Sequence, residues 1–218
     1  MRISVLGTGI VGNTIGSALI QKGHEVKMGS RSASNEKAGT WASQNGANAS
    51  QGSFADASKF GDIIFNCTKG EHSLDALKAA GKENLAGKIL VDVSNPLDFS
   101  QGMPPTLFLV NDNSLGETIQ NEFPGTHVVK TLNTLNCSLM VNPGKIGNGD
   151  HHIFICGNDP VSKQKILSLL HEDFNWKLEN IIDLGDITNS RGTEQLLPIW
   201  IRLMVTLGTA DFNFKIVK

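Results

Sequence analysis

The segment that most restricts what this chain can become lies within its first twelve residues. Gly7-Thr8-Gly9-Ile10-Val11-Gly12 follows directly on the apolar run 3–6 and opens a stretch of helical periodicity. A G-x-G-x-x-G in that setting makes a strand turn sharply into a helix whose start carries no bulky side chains. Gly7 supplies the tight turn, Gly9 lets an outside group come up to the backbone, and Gly12 lets the helix pack closely on the strand. Gly16, one turn further on, extends the small face. The free amides at such a helix start, together with the positive end of its dipole, attract a phosphate. The pattern therefore predicts that Gly7, Thr8, Gly9, Ile10, Val11 and Gly12 hold the diphosphate of a dinucleotide.

Short apolar runs recur along the chain at 25–28, 63–66, 89–93, 127–130 and 153–156. Helix-length segments lie between them at 10–22, 34–44, 54–59 and 71–80, with Gly23 placed to end the first. This alternation is the signature of βαβ units on a mostly parallel sheet. Pro96, Pro104 and Pro105 mark residues 94–105 as a loop at the carboxyl end of a strand. Past residue 143 come a helix opened by Asp159-Pro160, an extended stretch at 181–184 and an amphipathic segment at 191–209. The fold class expected is α/β: a Rossmann-type doubly wound parallel sheet. Residues 1–143 are expected to form the dinucleotide-binding domain, and 144–218 a small C-terminal α/β extension that closes the cofactor cleft.

The choice of nucleotide rests about twenty residues past the glycines. An NAD site usually places an acid there to hold the ribose hydroxyls. The stretch here is Val26-Lys27-Met28-Gly29-Ser30-Arg31, without a carboxylate. A guanidinium fork and a hydroxyl suit a 2′-phosphate, so Ser30 and Arg31 are expected to bind NADP(H), with Ser32, Ser34 and Lys37 adding donors.

Ligands of open α/β sheets lie beyond the carboxyl ends of the strands. That brings Cys67, Thr68, Lys69 and His72 after one strand, Ser94 and Asn95 after another, and Asn133 after a third to the nicotinamide half of the cofactor. Cys67 reads either as a small core residue or as a nucleophile, and Asn133 as a cofactor contact or a turn former. His72, the one candidate catalytic side chain, faces either the site or solvent.

Other classes of function are disfavoured. A net charge of −2 and no basic run argue against nucleic acid or anionic lipid. Three well-separated cysteines give neither a disulfide framework nor a metal clip, and His151, His152 and His171 match no ligand spacing, so no metal is expected. No apolar stretch reaches the roughly 18 residues of a membrane span, and the N-terminus lacks signal-peptide architecture. A cytoplasmic protein is expected. The stripe Leu196, Leu197, Trp200, Leu203, Met204 and Leu207 is wide for a helix with one neighbour and predicts a homodimer face.

The chain resembles the coenzyme F420-dependent NADP oxidoreductase family, the same module found as the cytosolic part of membrane metalloreductases. The resemblance is carried by residues 7–12, by His24-Glu25-Val26-Lys27-Met28-Gly29-Ser30-Arg31, by Glu71-His72, by residues 91–97, by Val128-Val129-Lys130-Thr131-Leu132-Asn133-Thr134 and by Leu196-Leu197-Pro198-Ile199-Trp200. It implies that Thr8, Ser30 and Arg31 bind NADP. It also implies that hydride passes between the nicotinamide and a flat deazaflavin (F420), flavin or similar small-molecule acceptor. Such a transfer needs positioning more than acid–base help, in keeping with the absence of a recognisable catalytic pair. Two other readings stay open. One is a small-substrate reductase of the hydroxyacid or imine type, whose usual long helical domain exceeds the C-terminal residues here. The other is a non-catalytic NADP(H) redox sensor.

Overall fold

The computed structural model describes all 218 residues. In chain order its first half comprises β1 (Arg2–Leu6), α1 (Ile10–Gln21), β2 (Glu25–Ser30), α2 (Glu36–Asn45), β3 (Ala49–Ser53), α3 (Phe54–Phe60), β4 (Ile63–Asn66) and α4 (Gly70–Ala80). There follow α5 (Lys82–Leu85), β5 (Ile89–Asp92), the short strands β6 (Leu97–Asp98) and β7 (Thr106–Leu107), α6 (Leu115–Glu122), β8 (His127–Thr131) and α7 (Cys137–Met140). The chain closes with β9 (Ile153–Gly157), α8 (Pro160–Glu172), β10 (Ile181–Asp183), α9 (Ser190–Gln195) and α10 (Leu197–Leu207).

One eight-stranded sheet runs β10-β9-β8-β5-β4-β1-β2-β3. All pairings are parallel except β8 with β9. Every residue of β4 and β5 is buried, as continuous apolar strands covered on both faces should be. Ile15, Leu19, Trp41 and Trp176 cover one face, while Leu77, Leu115, Ile119 and Phe123 cover the other. Strand order reverses at β1, which pairs with both β2 and β4, so a crevice opens at their carboxyl ends.

Several details depart from the expectations. Strand β3 was not expected, because Ala49-Ser50-Gln51-Gly52-Ser53 has no apolar run; it forms as an edge strand in register with β2, from Val26↔Ala49 to Ser30↔Ser53. Helix α2 begins at Glu36, not 34, because the Asn35 side chain accepts the amide of Ala38 at 3.1 Å and so caps it. Within the proline-rich loop, Leu97 pairs antiparallel with Leu107.

The expected C-terminal helix is two helices. Pro198 has no amide to donate and its ring crowds the carbonyl four residues back, so α9 stops at Gln195 and α10 starts afresh with the proline in its first turn. The boundary placed near residue 143 does not interrupt the sheet, since β9 and β10 continue it from β8. No helix is long and apolar enough to cross a membrane.

Candidate functional site

The four glycines of the first turn and helix are not equivalent. Gly7 has φ +119°, and a Cβ there would lie 2.6 Å from the Cys67 carbonyl oxygen. A Cβ on Gly12 would lie 2.1 Å from the Gly7 carbonyl oxygen, and one on Gly16 would lie 2.8 Å from the Trp41 ring. The fold itself requires these three. Gly9 differs, because its φ of −80° and ψ of −178° suit any residue and a Cβ would meet nothing within 4 Å. Nothing inside the protein accounts for its missing side chain. Helix α1 has no side-chain N-cap and no acid in its first turn, so its leading amides point outward unpartnered. Asn13 braces this loop by donating to the carbonyls of Thr8 (3.3 Å) and Gly9 (3.1 Å).

Gly7, Thr8 and Gly9 form one end of a cavity of about 940 Å³ that also takes in Ser30, Arg31, Lys37, Cys67, Thr68, Lys69 and His72. Ten of the sixteen sequence-derived residues thus meet there. Arg31 and Lys37 are exposed and make no ion pair or side-chain hydrogen bond within the protein. The Ser30 hydroxyl donates to the Ser32 carbonyl at 2.6 Å and so shapes the turn at the cavity wall. The exposed hydroxyls of Ser32 and Ser34 share one hydrogen bond of 3.1 Å.

The remaining candidates lie outside the cavity wall. Ile10 projects into solvent and Val11 packs against the core. Gly12 is buried beneath Gly7. Ser94 is buried, and its hydroxyl donates to Asp92 at 2.7 Å. Asn95 and Asn133 bond to each other: the Asn95 amide donates to the Asn133 carbonyl at 2.8 Å, and the Asn133 amide donates to the Asn95 side-chain oxygen at 2.9 Å. These two asparagines lock together the loops leaving β5 and β8. Leu132, the buried residue before Asn133, is held at φ +61°, a costly conformation for a branched residue.

Burial, and secondarily the charge of Asp92, pushes the Cys67 thiol up, which disfavours the thiolate that a nucleophile needs. His72 is half exposed with its ring 3.7 Å from Glu71. No group of three or more His, Cys, Asp or Glu side chains is arranged to hold a metal. Residues after Ala79 contribute no wall to this cavity.

Beneath the strand ends lies a buried ionic network that the sequence reading missed. The Lys130 ammonium sits 2.7 Å from Asp92 and 2.7 Å from Glu194, and it also donates to the Ser94 carbonyl at 2.6 Å. Asp92 further accepts from the Asn66 amide at 2.8 Å. Glu194 accepts the Leu115 and Gly116 amides at the start of α6. Burial alone would favour a neutral Lys130, but the two facing carboxylates outweigh it and raise the ammonium above its ordinary value. The one legible signal was a lysine inside the apolar strand His127–Thr131. Asn35, Phe54, Asp75, Ala76 and Ala79 also line the cavity without having been foreseen.

A bare helix start, a cavity running from it to two unpaired cations, Arg31 at the end of β2 and Lys37 at the start of α2, and a crevice at the reversal of strand order define an NADP(H)-dependent oxidoreductase of the Rossmann class. Residues 2–96 match the profile of the family described as NADP oxidoreductase coenzyme F420-dependent. The F420-dependent NADP reductase of Methanocaldococcus jannaschii is 30% identical over 75% of this chain and 71% of its own length. The chain belongs to this family. Metalloreductase STEAP3 of Rattus norvegicus is 28% identical over 95% of this chain, which spans only 39% of that protein. A solved structure from Arthrobacter sp. FB24, assigned to the F420-dependent NADP-reductases, is 51% identical over the whole of both chains with a TM-score of 0.94. An imine reductase from Myxococcus stipitatus in complex with NADP+ is 17% identical, covers 95% of this chain and 64% of its own, and has a TM-score of 0.65; it shares the fold.

Proposed function

We propose that this protein passes hydride between NADP(H) and a deazaflavin of the F420 type. The observation that carries the proposal is the single cavity joining the empty space over Gly9 to the unpaired Arg31 and Lys37. The outward amides of α1 hold a diphosphate, Arg31 and Lys37 hold a 2′-phosphate, and the interlocked Asn95 and Asn133 keep the strand-end loops from shifting beneath the reacting rings. When bound, the nicotinamide supplies or takes a hydride at C4. The family and the Methanocaldococcus relative support F420 as the other partner. Around the strand ends no nucleophile–base or acid–base pair is assembled, and half-exposed His72 is assigned no step, so the protein's contribution is orientation.

The test is NADPH carrying deuterium stereospecifically at C4. The label should arrive on reduced F420 without exchange. Washout into water would overturn direct transfer. Oxidation of NADPH by FMN or FAD in preference to F420 would shift the assignment to a flavin, and no oxidation by any of the three would leave a binding protein.

The nucleotide preference has its own test. Replacing Arg31 with alanine should weaken NADP+ by about tenfold to a hundredfold, the worth of one charge-assisted contact to phosphate, and change NAD+ affinity little. Calorimetric titration reads both, and equal losses would remove the 2′-phosphate assignment.

We also propose a homodimer. Of the expected stripe, Leu197 is buried and Trp200 stacks on Phe212 at 5.3 Å, yet Leu207 is exposed, as are Ile199 and Val205 on the same helix. A monomer by light scattering at high micromolar concentration would refute it. The three unpaired cysteines fit a reducing cytoplasm as the site of action.

A further inference from the structure

We infer that Asp75 reads the exocyclic amine of the adenine, an inference that rests on the dinucleotide reading above. Past the glycines and Arg31, the same cavity is lined by Phe54 at the head of α3 and by Asp75, Ala76 and Ala79 on α4. Asp75 and Ala79 are four residues apart and so stand one above the other on one helix face. Ala76 and Ala79 are short enough to leave a flat wall. A 2′-phosphate held by Arg31 fixes the ribose, and the base on the neighbouring ribose carbon then falls between the end of β2 and this face of α4. Phe54 and the two alanines offer apolar surface to a purine ring, and Arg31 offers its guanidinium plane.

Asp75 is the feature that needs explaining. It is the one carboxylate lining a cavity that also presents Arg31, Lys37 and Lys69 to an anionic ligand. It makes no ion pair and accepts no hydrogen bond within the protein, so the fold does not use its charge. Facing a ligand that carries several phosphate charges, a free carboxylate weakens binding unless it meets a donor. The only donor on the adenine ring is the amine at C6, whereas its ring nitrogens are acceptors that a carboxylate repels. Asp75 therefore selects adenine by accepting from that amine.

The experiment compares NADP+ with its 1,N6-ethenoadenine analogue, in which ring closure removes both amine hydrogens. Both are titrated calorimetrically into the wild type, Asp75→Ala and Asp75→Asn. Asp75 is exposed on a helix and alanine is a strong helix former, so the variants should fold. The wild type should prefer NADP+ by about tenfold, the worth of one hydrogen bond to a charged acceptor. In Asp75→Ala the preference should collapse, and in Asp75→Asn, which keeps an acceptor oxygen, part of it should return. The ratio is the readout, because relief of repulsion against the phosphates acts on both ligands alike. An unchanged ratio in Asp75→Ala, whatever the absolute affinities do, would overturn the assignment and leave the dinucleotide site standing. Failure of the wild type to bind either ligand would instead strike the dinucleotide reading itself.

Discussion

Gly9→Val should abolish NADP(H) binding, lowering affinity by at least about a hundredfold, while the protein stays folded. The branched side chain would enter the space that lies free above the start of α1 and hold the diphosphate off the helix amides. Each charge-assisted contact so lost is worth about 1.5–3 kcal/mol, and more than one is lost together. The fold should notice little, because Gly9 has an extended conformation open to any residue and its Cβ would meet no neighbour within 4 Å. Valine is a poorer helix N-cap than glycine, which costs about 1 kcal/mol and a few degrees of melting temperature. Circular dichroism melts and calorimetric titration together decide it: undiminished affinity in a folded Gly9→Val protein would move the site elsewhere.

The neighbouring glycines would not serve for this test. At Gly12 any side chain meets the Gly7 carbonyl, and at Gly7 the positive φ already disfavours one, so loss of binding there would report loss of structure. Position nine alone separates ligand from fold. The motif pattern shows three glycines of equal standing, and only the packing tells which of them answers to something outside the chain.

That contrast describes how far the sequence could be read. The glycine loop, seven of the eight sheet strands and the cationic end of β2 were legible because each rests on local chemistry: an apolar run, a helix start, an arginine where an acid usually sits. Strand β3 was not, because Ala49–Ser53 has no strand character of its own and is ordered by the edge of β2. Nor was the cleavage of the last helix, although Pro198 stood in plain view. The bond from the Ser30 hydroxyl to the Ser32 carbonyl, which closes the turn beside Arg31, was hidden too, since a sequence does not tell which acceptor a hydroxyl meets. The ionic network was hidden most deeply. Asp92 and Lys130 are 38 residues apart in sequence and Glu194 lies on a segment whose apolar neighbours drew attention to the other face. A lysine in a strand reads as an edge residue until topology places that strand between two others.

The network also sets the largest stability effect expected. Lys130→Met keeps much of the side-chain volume but removes the ammonium that stands between Asp92 and Glu194, both buried. Breaking a buried ion pair by removing one partner costs about 3–5 kcal/mol, because the charge left behind has neither water nor counterion. Here two carboxylates are left, although Asp92 keeps the Asn66 amide and Glu194 keeps two amides of α6. The variant should therefore unfold at markedly lower urea concentration with an unchanged slope. A second substitution distinguishes charge from lost packing. Adding Asp92→Asn should recover much of the deficit, since it removes one of the two stranded charges while its side-chain oxygen can still accept from Asn66 and Ser94. In a wild-type background the same Asp92→Asn change should destabilise, so the two substitutions should couple favourably by more than about 1 kcal/mol. Two substitutions that merely add would show that Lys130 holds the strand ends through packing alone.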